Sequence, residues 1–272
     1  MCRDLALRHY ENFPVGRFGV PRDRRPDIHV VYAFARMADD FADEPQYEGK
    51  RLALLDDWGK KLETCLTSPE EPVFVALGDT IRRLQLPLDP FRDLLSAFRQ
   101  DVGTPRYAHW NDVLDYCRRS ANPIGRLVLA VTGQESPEAL ALSDDLCTAL
   151  QLTNFWQDLS VDHPRGRSYL PKADAAMFGV DLERLVAGEP NGDVEQLLEV
   201  VGDRTANLYE SAQPLLKMLK GGLRIEITAT WLGGSQILEE SMALGAEALS
   251  DRPELHNFDK ALIAVKAVLG LV

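Results

Sequence analysis

The chain has 272 residues, 45% of them hydrophobic and 26% charged, which is enough to bury a substantial core and shows no collagen-like or disordered bias. A formal net charge of −12 argues against a nucleic-acid partner, because a phosphate backbone requires a basic surface. Cys2, Cys65, Cys117 and Cys147 have neither CxxC nor zinc spacing, so free thiols in a reducing cytoplasm are expected rather than a disulfide framework.

The opening MCRDLALRHYENF carries charges where a signal peptide needs an apolar core, and no run is long enough to span a bilayer. From there helical periodicity dominates and no alternating strand pattern stands out. A long helix is expected over 26–44, stopped by Pro45. A second, over 49–66, carries Leu52, Leu55, Trp58, Leu62 and Leu66 on one side. Two shorter helices, 72–86 and 90–101, are separated by Pro87 and Pro90. The helix over 109–131 contains Asn122-Pro123, which should kink it. The next spans 137–162 and ends before Pro164. After the irregular HPRGRSYLP, helices are expected near 173–187, 193–220, 222–243 and 254–270. The apolar tail, 261–272, reads as a core-packing terminal helix, with membrane-surface contact as the alternative. With no linker, low-complexity stretch or repeat, residues 1–272 read as one all-α domain.

Two acidic stripes carry the chemical information. In YAFARMADDFADE, Tyr32, Arg36, Asp39 and Asp43 fall within an arc of about 60° on a helix, and Asp40 and Glu44 repeat the i, i+4 pairing beside them. Like charges at that spacing destabilise a helix by about 0.2–0.5 kcal/mol per pair, which suggests a bound cation, although a solvated acidic face would look the same. In QLTNFWQDLSVD, Gln151, Asn154, Asp158 and Asp162 again share a narrow arc. Leu150, Leu152, Phe155, Trp156, Leu159 and Val161 surround them, so this helix is expected to be buried. Buried carboxylates must be paired, protonated or metal-bound, and Arg126 is the only Lys or Arg between residues 120 and 165. An all-oxygen donor set selects a hard cation, with magnesium bridging to phosphate oxygens the best fit. His163 is expected on a surface loop rather than at a zinc site. The following HPRGRSYLPK offers Arg165, Arg167 and Lys172 around a glycine, suited to folding over phosphate oxygens. Walker, Rossmann, nucleophile-elbow and zincin motifs are missing from the sequence.

These residues resemble the squalene/phytoene synthase family, which joins or rearranges prenyl diphosphates head to head. The likeness covers residues 12–171: R-x-x-D-D-x-x-D at 36–43, Q-x-x-N-x-x-x-D-x-x-x-D at 151–162, Tyr116-Cys117 with NPIG at 122–125, and G-R-x-Y-L-P at 166–171. The resemblance implies a class I terpenoid-synthase-like helical bundle around a central cavity, a Mg2+ cofactor and an isoprenoid diphosphate substrate. Asp39 and Asp43 would bind magnesium from one wall, and Asn154, Asp158 and Asp162 from the other. Arg36, Arg165, Arg167 and Tyr169 would hold the diphosphate, with Gln151 beside them. Tyr116 would lie by the reacting carbons, Asn12 and Phe13 at the N-terminal entry and Tyr32 one turn before Arg36, with Phe13, Tyr32 and Tyr116 lining the pocket around the cation. The wording ENFPV, FARMADDFADEP and NFWQDLSVDHPRGRSYLP is most similar to the bacterial branch that turns presqualene diphosphate into hydroxysqualene for hopanoids. That implies a cytoplasmic protein at the periphery of the inner membrane, with other enzymes of the squalene route as partners.

Glu11 and Gln157 stand where condensing relatives often carry basic residues, which mildly favours a site for one diphosphate. A condensing squalene or phytoene synthase is the rival reading within the family. A non-catalytic relative, serving as a binding or assembly protein, is the rival from another class; such relatives are expected to lose acidic ligands that this chain keeps.

Overall fold

The computed structural model describes residues 19–103 and 106–272, so Asn12 and Phe13 lie outside the described residues. The helices are α1 (Arg25–Asp43), α2 (Arg51–Thr64), α3 (Pro72–Leu84), α4 (Asp89–Asp101), α5 (Trp110–Ser120), α6 (Asn122–Thr132), α7 (Pro137–Gln157), α8 (Leu159–Asp162), α9 (Lys172–Met177), α10 (Leu182–Val186), α11 (Val194–Ala212), α12 (Leu215–Met218), α13 (Gly221–Leu244) and α14 (Asn257–Leu269). Among the described residues there is no strand.

α1 shows how the amphipathic pattern becomes architecture. Ile28, Val31, Phe34, Ala38 and Ala42 are buried, while the line through Tyr32, Arg36 and Asp39 is half-exposed on another side. The buried side rests on α2, α3 and α4. There Phe34 meets Phe91 edge-on at 5.2 Å and stacks on Trp58 at 6.0 Å, and Trp58 meets Phe74 at 4.5 Å. Trp58 Nε1 donates to the Phe34 carbonyl at 3.3 Å, which satisfies the indole inside the core. On α2 only Leu55, Trp58 and Leu62 of the expected line are buried; Leu52 faces solvent, because α1 and α4 cover the far side.

α7 forms the second centre, packed by α5, α6, α11 and α13. It starts as a well-capped helix: Ser136 Oγ accepts from the Ala139 N–H at 3.1 Å and Pro137 occupies the first turn. α6 joins the two centres, touching both α1 and α7. Its close approach to α7 depends on Gly125, where an added Cβ would lie 2.4 Å from Ser143 Oγ and 2.6 Å from Cys147 Sγ.

Four expected helices are cut shorter. Residues 109–131 form two helices rather than one kinked helix, because Pro123 lacks an N–H and its ring crowds the preceding turn. Asn122 fixes the corner from inside, its Oδ1 accepting from Thr148 Oγ1 at 2.9 Å. The 173–187 segment is likewise two short helices, and 193–220 breaks before Pro214. Most consequentially, α7 ends at Gln157: Asp158 has φ −97° and ψ 16°, and the chain resumes as the single turn α8.

Cys65, Cys117 and Cys147 are free thiols, as expected. No helix among the described residues is long and apolar enough to cross a membrane.

Candidate active site

Residues of both acidic stripes border one cavity, while Asp43 and Asp162 lie outside its lining. A cavity of about 1000 Å³ is bordered by Asp39 from α1, by Ile124, Gly125 and Val128 from α6, and by Gln151, Asn154, Gln157 and Asp158 from α7 and its end. A smaller space of about 170 Å³ adjoins it, lined by Tyr32, Arg36, Asp39, Leu94 and Phe98. Asp39, Ser120, Ile124 and Val128 border both. An apolar barrel with carboxylates on opposite walls is therefore built from helices distant in sequence.

On the first wall Arg36 reaches Asp39 at 3.2 Å and Asp40 at 2.7 Å, so the stripe's like charges are offset by its own arginine. Burial still pushes the Asp39 carboxyl up to about 6; Arg36 opposes that, and Asp43, Asp40 and Glu44 add to it. Asp43 lies nearer solvent and pairs with Arg167 at 2.7 Å, which brings the basic loop onto α1. Gly166, at φ +75°, makes the turn that aims Arg167 back, and the Arg167 N–H donates to the Asp162 carbonyl at 3.0 Å. Arg165 is exposed.

On the second wall Asn154 Nδ2 donates to Asp158 Oδ2 at 2.8 Å. The sequence reading of an acidic stripe buried without a counter-charge needs correcting here. Asn154 is exposed and Asp158 and Asp162 are half-buried, and Arg252 pairs with Asp158 at 2.6 Å from a loop 94 residues away. Arg126 is committed elsewhere, at 2.5 Å from Asp144. Gln157 Nε2 donates to the Pro253 carbonyl at 2.8 Å and so anchors the loop that carries Arg252. The charge absent at position 157 thus returns from the tertiary structure. Asp162 is pushed up to about 6, by burial first and the neighbouring Asp158 second, against Arg167 and Arg165.

His163 also departs from expectation. It is buried, and burial together with nearby Arg106 pushes its imidazole down to about 4, so it is neutral. Leu170 and the Lys172 N–H to Tyr107 carbonyl bond at 2.9 Å draw this stretch inward.

An aromatic cluster that the sequence only partly disclosed ties Phe155 of α7 to Tyr169 of the basic loop. Tyr169 stacks on Phe155 with centroids 3.6 Å apart and planes within 5°, and Tyr107 and Tyr116 close around them at 6.0 and 6.1 Å. Tyr116 is buried, and its hydroxyl donates to Asp101 Oδ2 at 2.8 Å. Asp101 is pushed up to about 7 by burial, a rise its bond from Tyr116 only partly offsets and Asp43 reinforces. The one sequence signal for Asp101 is an acidic residue ending α4, where the helix dipole disfavours it. Arg252 had no local signal at all.

The donor set fits a hard divalent cation. Every candidate ligand is an oxygen, and Asp39 and Asp162 hold negative charge at a desolvation cost that a cation would relieve. Among the described residues no three His, Cys, Asp or Glu side chains converge into a ready cluster. Magnesium keeps waters and binds through one or two carboxylates together with substrate phosphates, and the oxygens of Asp39 and Asp158 at the cavity would be its protein contribution. Arg36 Nε and Ser120 Oγ are buried at the cavity without a partner among the described residues, leaving a donor and a hydroxyl for a ligand.

Comparison with known proteins agrees with this geometry. The squalene/phytoene synthase family profile matches residues 6–259. The hydroxysqualene synthase of Zymomonas mobilis is 40% identical over 207 residues, 74% of this chain and 68% of that protein. The 15-cis-phytoene synthase of Synechococcus elongatus is 30% identical over 251 residues, 88% of this chain and 82% of that one. The crystal structure of squalene synthase HpnC from Alicyclobacillus acidocaldarius superposes with a TM-score of 0.83 at 38% identity, covering 91% of this chain and 92% of that one. A dehydrosqualene synthase structure, 23% identical with a TM-score of 0.81, shares the fold, the class I terpenoid synthase bundle. An all-helical barrel with two acidic walls, and a profile that spans nearly its whole length, place the chain in the squalene/phytoene synthase family.

Proposed function

We propose that the chain is a hydroxysqualene synthase, ionising presqualene diphosphate and capturing water on the rearranged cation. The observation that carries this reading is the 40% identity with a hydroxysqualene synthase over 207 residues, against 30% and 31% with phytoene synthases over 251 and 258. A second hydroxysqualene synthase, from Sinorhizobium fredii, is 33% identical over 98% of this chain and 90% of its own length.

Asp39 and Asp43 on one wall and Asn154, Asp158 and Asp162 on the other would hold magnesium, which when bound neutralises the charge of the departing diphosphate. Arg36, which lines the smaller space and pairs with Asp39, and Arg167, paired with Asp43, would turn to the phosphate oxygens, and Arg165 would approach from solvent. Tyr32 borders the smaller space beside Arg36, and Gln151 borders the larger one. The prenyl chains would occupy the apolar part of the cavity along Ile124, Val128, Leu146, Leu150 and Ile237. Tyr32, which borders the smaller space, and Tyr116, packed among Tyr107, Phe155 and Tyr169, would each stabilise a passing cation by about 0.5–2 kcal/mol. When water's oxygen bonds to the cationic carbon, one proton must leave. Asp101, with a carboxyl near 7 and one oxygen unpartnered, is the group we assign to receive it beside Tyr116.

Product analysis by mass spectrometry tests the reading. Incubation with magnesium and presqualene diphosphate in labelled water should give an alcohol carrying the label, and farnesyl diphosphate alone should give nothing. Presqualene diphosphate or a hydrocarbon formed from farnesyl diphosphate would move the chain to the condensing branch. Arg252 favours that second reading, since it restores a guanidinium beside Asp158. Failure to release diphosphate from any prenyl substrate would leave a binding or assembly role.

A further inference from the structure

The final helix, α14, is apolar on two opposite sides, and only one of them is covered. Ile263 and Ala267 are buried on the side that packs against α13. On the other side Phe258, Leu262, Val265 and Leu269 recur at i, i+4, i+7 and i+11, within an arc of about 60°, with Val268 at its edge. These five side chains are between 43% and 77% exposed. The expectation of a core-packing terminal helix therefore holds for half of α14 and fails for the rest. The other large exposed apolar residues among those described up to α14, Leu52, Val75 and Met177, are isolated on three different elements.

The geometry points to this face as a docking surface for a lipid bilayer, with α14 lying in the plane of the headgroups and its stripe among the acyl chains. Charge supports that occupant. Lys266 borders the stripe and Arg224 approaches the end of α14 at Gly270; among the described residues neither forms an ion pair. These two cations, without an ion pair among the described residues, lie beside an exposed apolar stripe and suit anionic headgroups even on a chain whose overall charge is −12; the one carboxylate on that flank, Asp259, is held by the His256 N–H at the helix start. Position supports it further. Arg252, Glu254, Leu255 and Lys260, in the loop before α14 and its first turn, form part of the wall of the 1000 Å³ cavity. One segment would thus meet the bilayer on its outer side and the cavity on its inner side, giving a water-insoluble isoprenoid a short path between them. A second copy of the chain is the weaker fit, because five side chains on one helix fall well short of the roughly 800 Å² per partner that stable dimers bury. The inference rests on the family's isoprenoid chemistry and not on which of its reactions the chain performs.

The test is flotation of the full chain, without substrate, on phosphatidylcholine vesicles with and without phosphatidylglycerol. Wild-type protein should float, more strongly on the anionic vesicles. The triple variant Leu262→Ser, Val265→Ser, Leu269→Ser should lose about tenfold or more of its partition while keeping its circular dichroism and its turnover of detergent-dispersed substrate. No flotation of the wild type on either vesicle overturns the inference, as does flotation that the triple variant leaves unchanged. A concentration-dependent dimer that the triple variant abolishes, with no flotation, would give the face to a second copy. Because binding is read without catalysis, failure of the proposed reaction would leave this result standing.

Discussion

The two acidic walls use the same side chains and are built differently. The first is one uninterrupted helix, α1, whose carboxylates are balanced from within by Arg36, one turn from both Asp39 and Asp40. The second straddles a break: α7 stops at Gln157, α8 carries Asp162, and the balancing Arg252 arrives from a loop fixed by Gln157. A wall assembled from local pairs is set once its helix forms. A wall assembled from a break and a remote arginine depends on the rest of the fold being in place, and that dependence can be tested.

Removing a ligand carboxylate should hurt both walls alike. Asp39→Asn and Asp162→Asn are each expected to lower kcat by about 10³-fold with no loss of melting temperature, and chelation of magnesium should lower the wild-type rate likewise. Near-normal turnover in either variant would sink the metal assignment for that wall. Asp101→Asn, which belongs to neither wall, should lower kcat by about 10²-fold with little change in KM, and Tyr116→Phe should alter the product profile more than substrate binding. Equal effects on kcat and KM would reduce Asp101 to a structural part.

The walls should diverge at their arginine partners. Arg252→Ala is expected to cost about 10- to 100-fold in kcat/KM, the magnitude of a charge-assisted bond removed from Asp158. Gln157→Leu should cost only about 2- to 10-fold, by loosening the loop, and that loss should vanish in the Arg252→Ala background. Additive losses in the double variant would separate the two residues and remove the anchoring argument.

The smallest expected effect is on stability. Asp39, Asp101 and Asp162 have carboxyls raised to about 6, 7 and 6, so the metal-free native state keeps protons that the unfolded chain has already lost above pH 4. These three carboxyls should therefore make stability fall as pH rises from about 4 to about 7, and His163, pushed down to about 4, should oppose part of that fall below pH 6.5. Asp101→Asn should melt about 2–4 °C higher than wild type at pH 8 in chelator, with the gap closing near pH 4. A gap that persists at pH 4 would show that the asparagine stabilises for another reason.

Much of this protein is legible in its residues. Periodicity gives the helices, proline and glycine give most of their ends, and the spacing of Asp39 with Asp43 and of Asn154, Asp158 and Asp162 marks both walls, because helical geometry is local and repeats every few residues. Sequence could not show that the second wall is broken at Asp158, that His163 turns inward or that Tyr169 stacks on Phe155. It could not show that Asp101 accepts from Tyr116 and Arg252 pairs with Asp158, or that half of α14 stays bare. Each of these depends on what a side chain meets across the fold, and burial, charge pairing and ring stacking are settled by groups tens of residues away that no local pattern encodes.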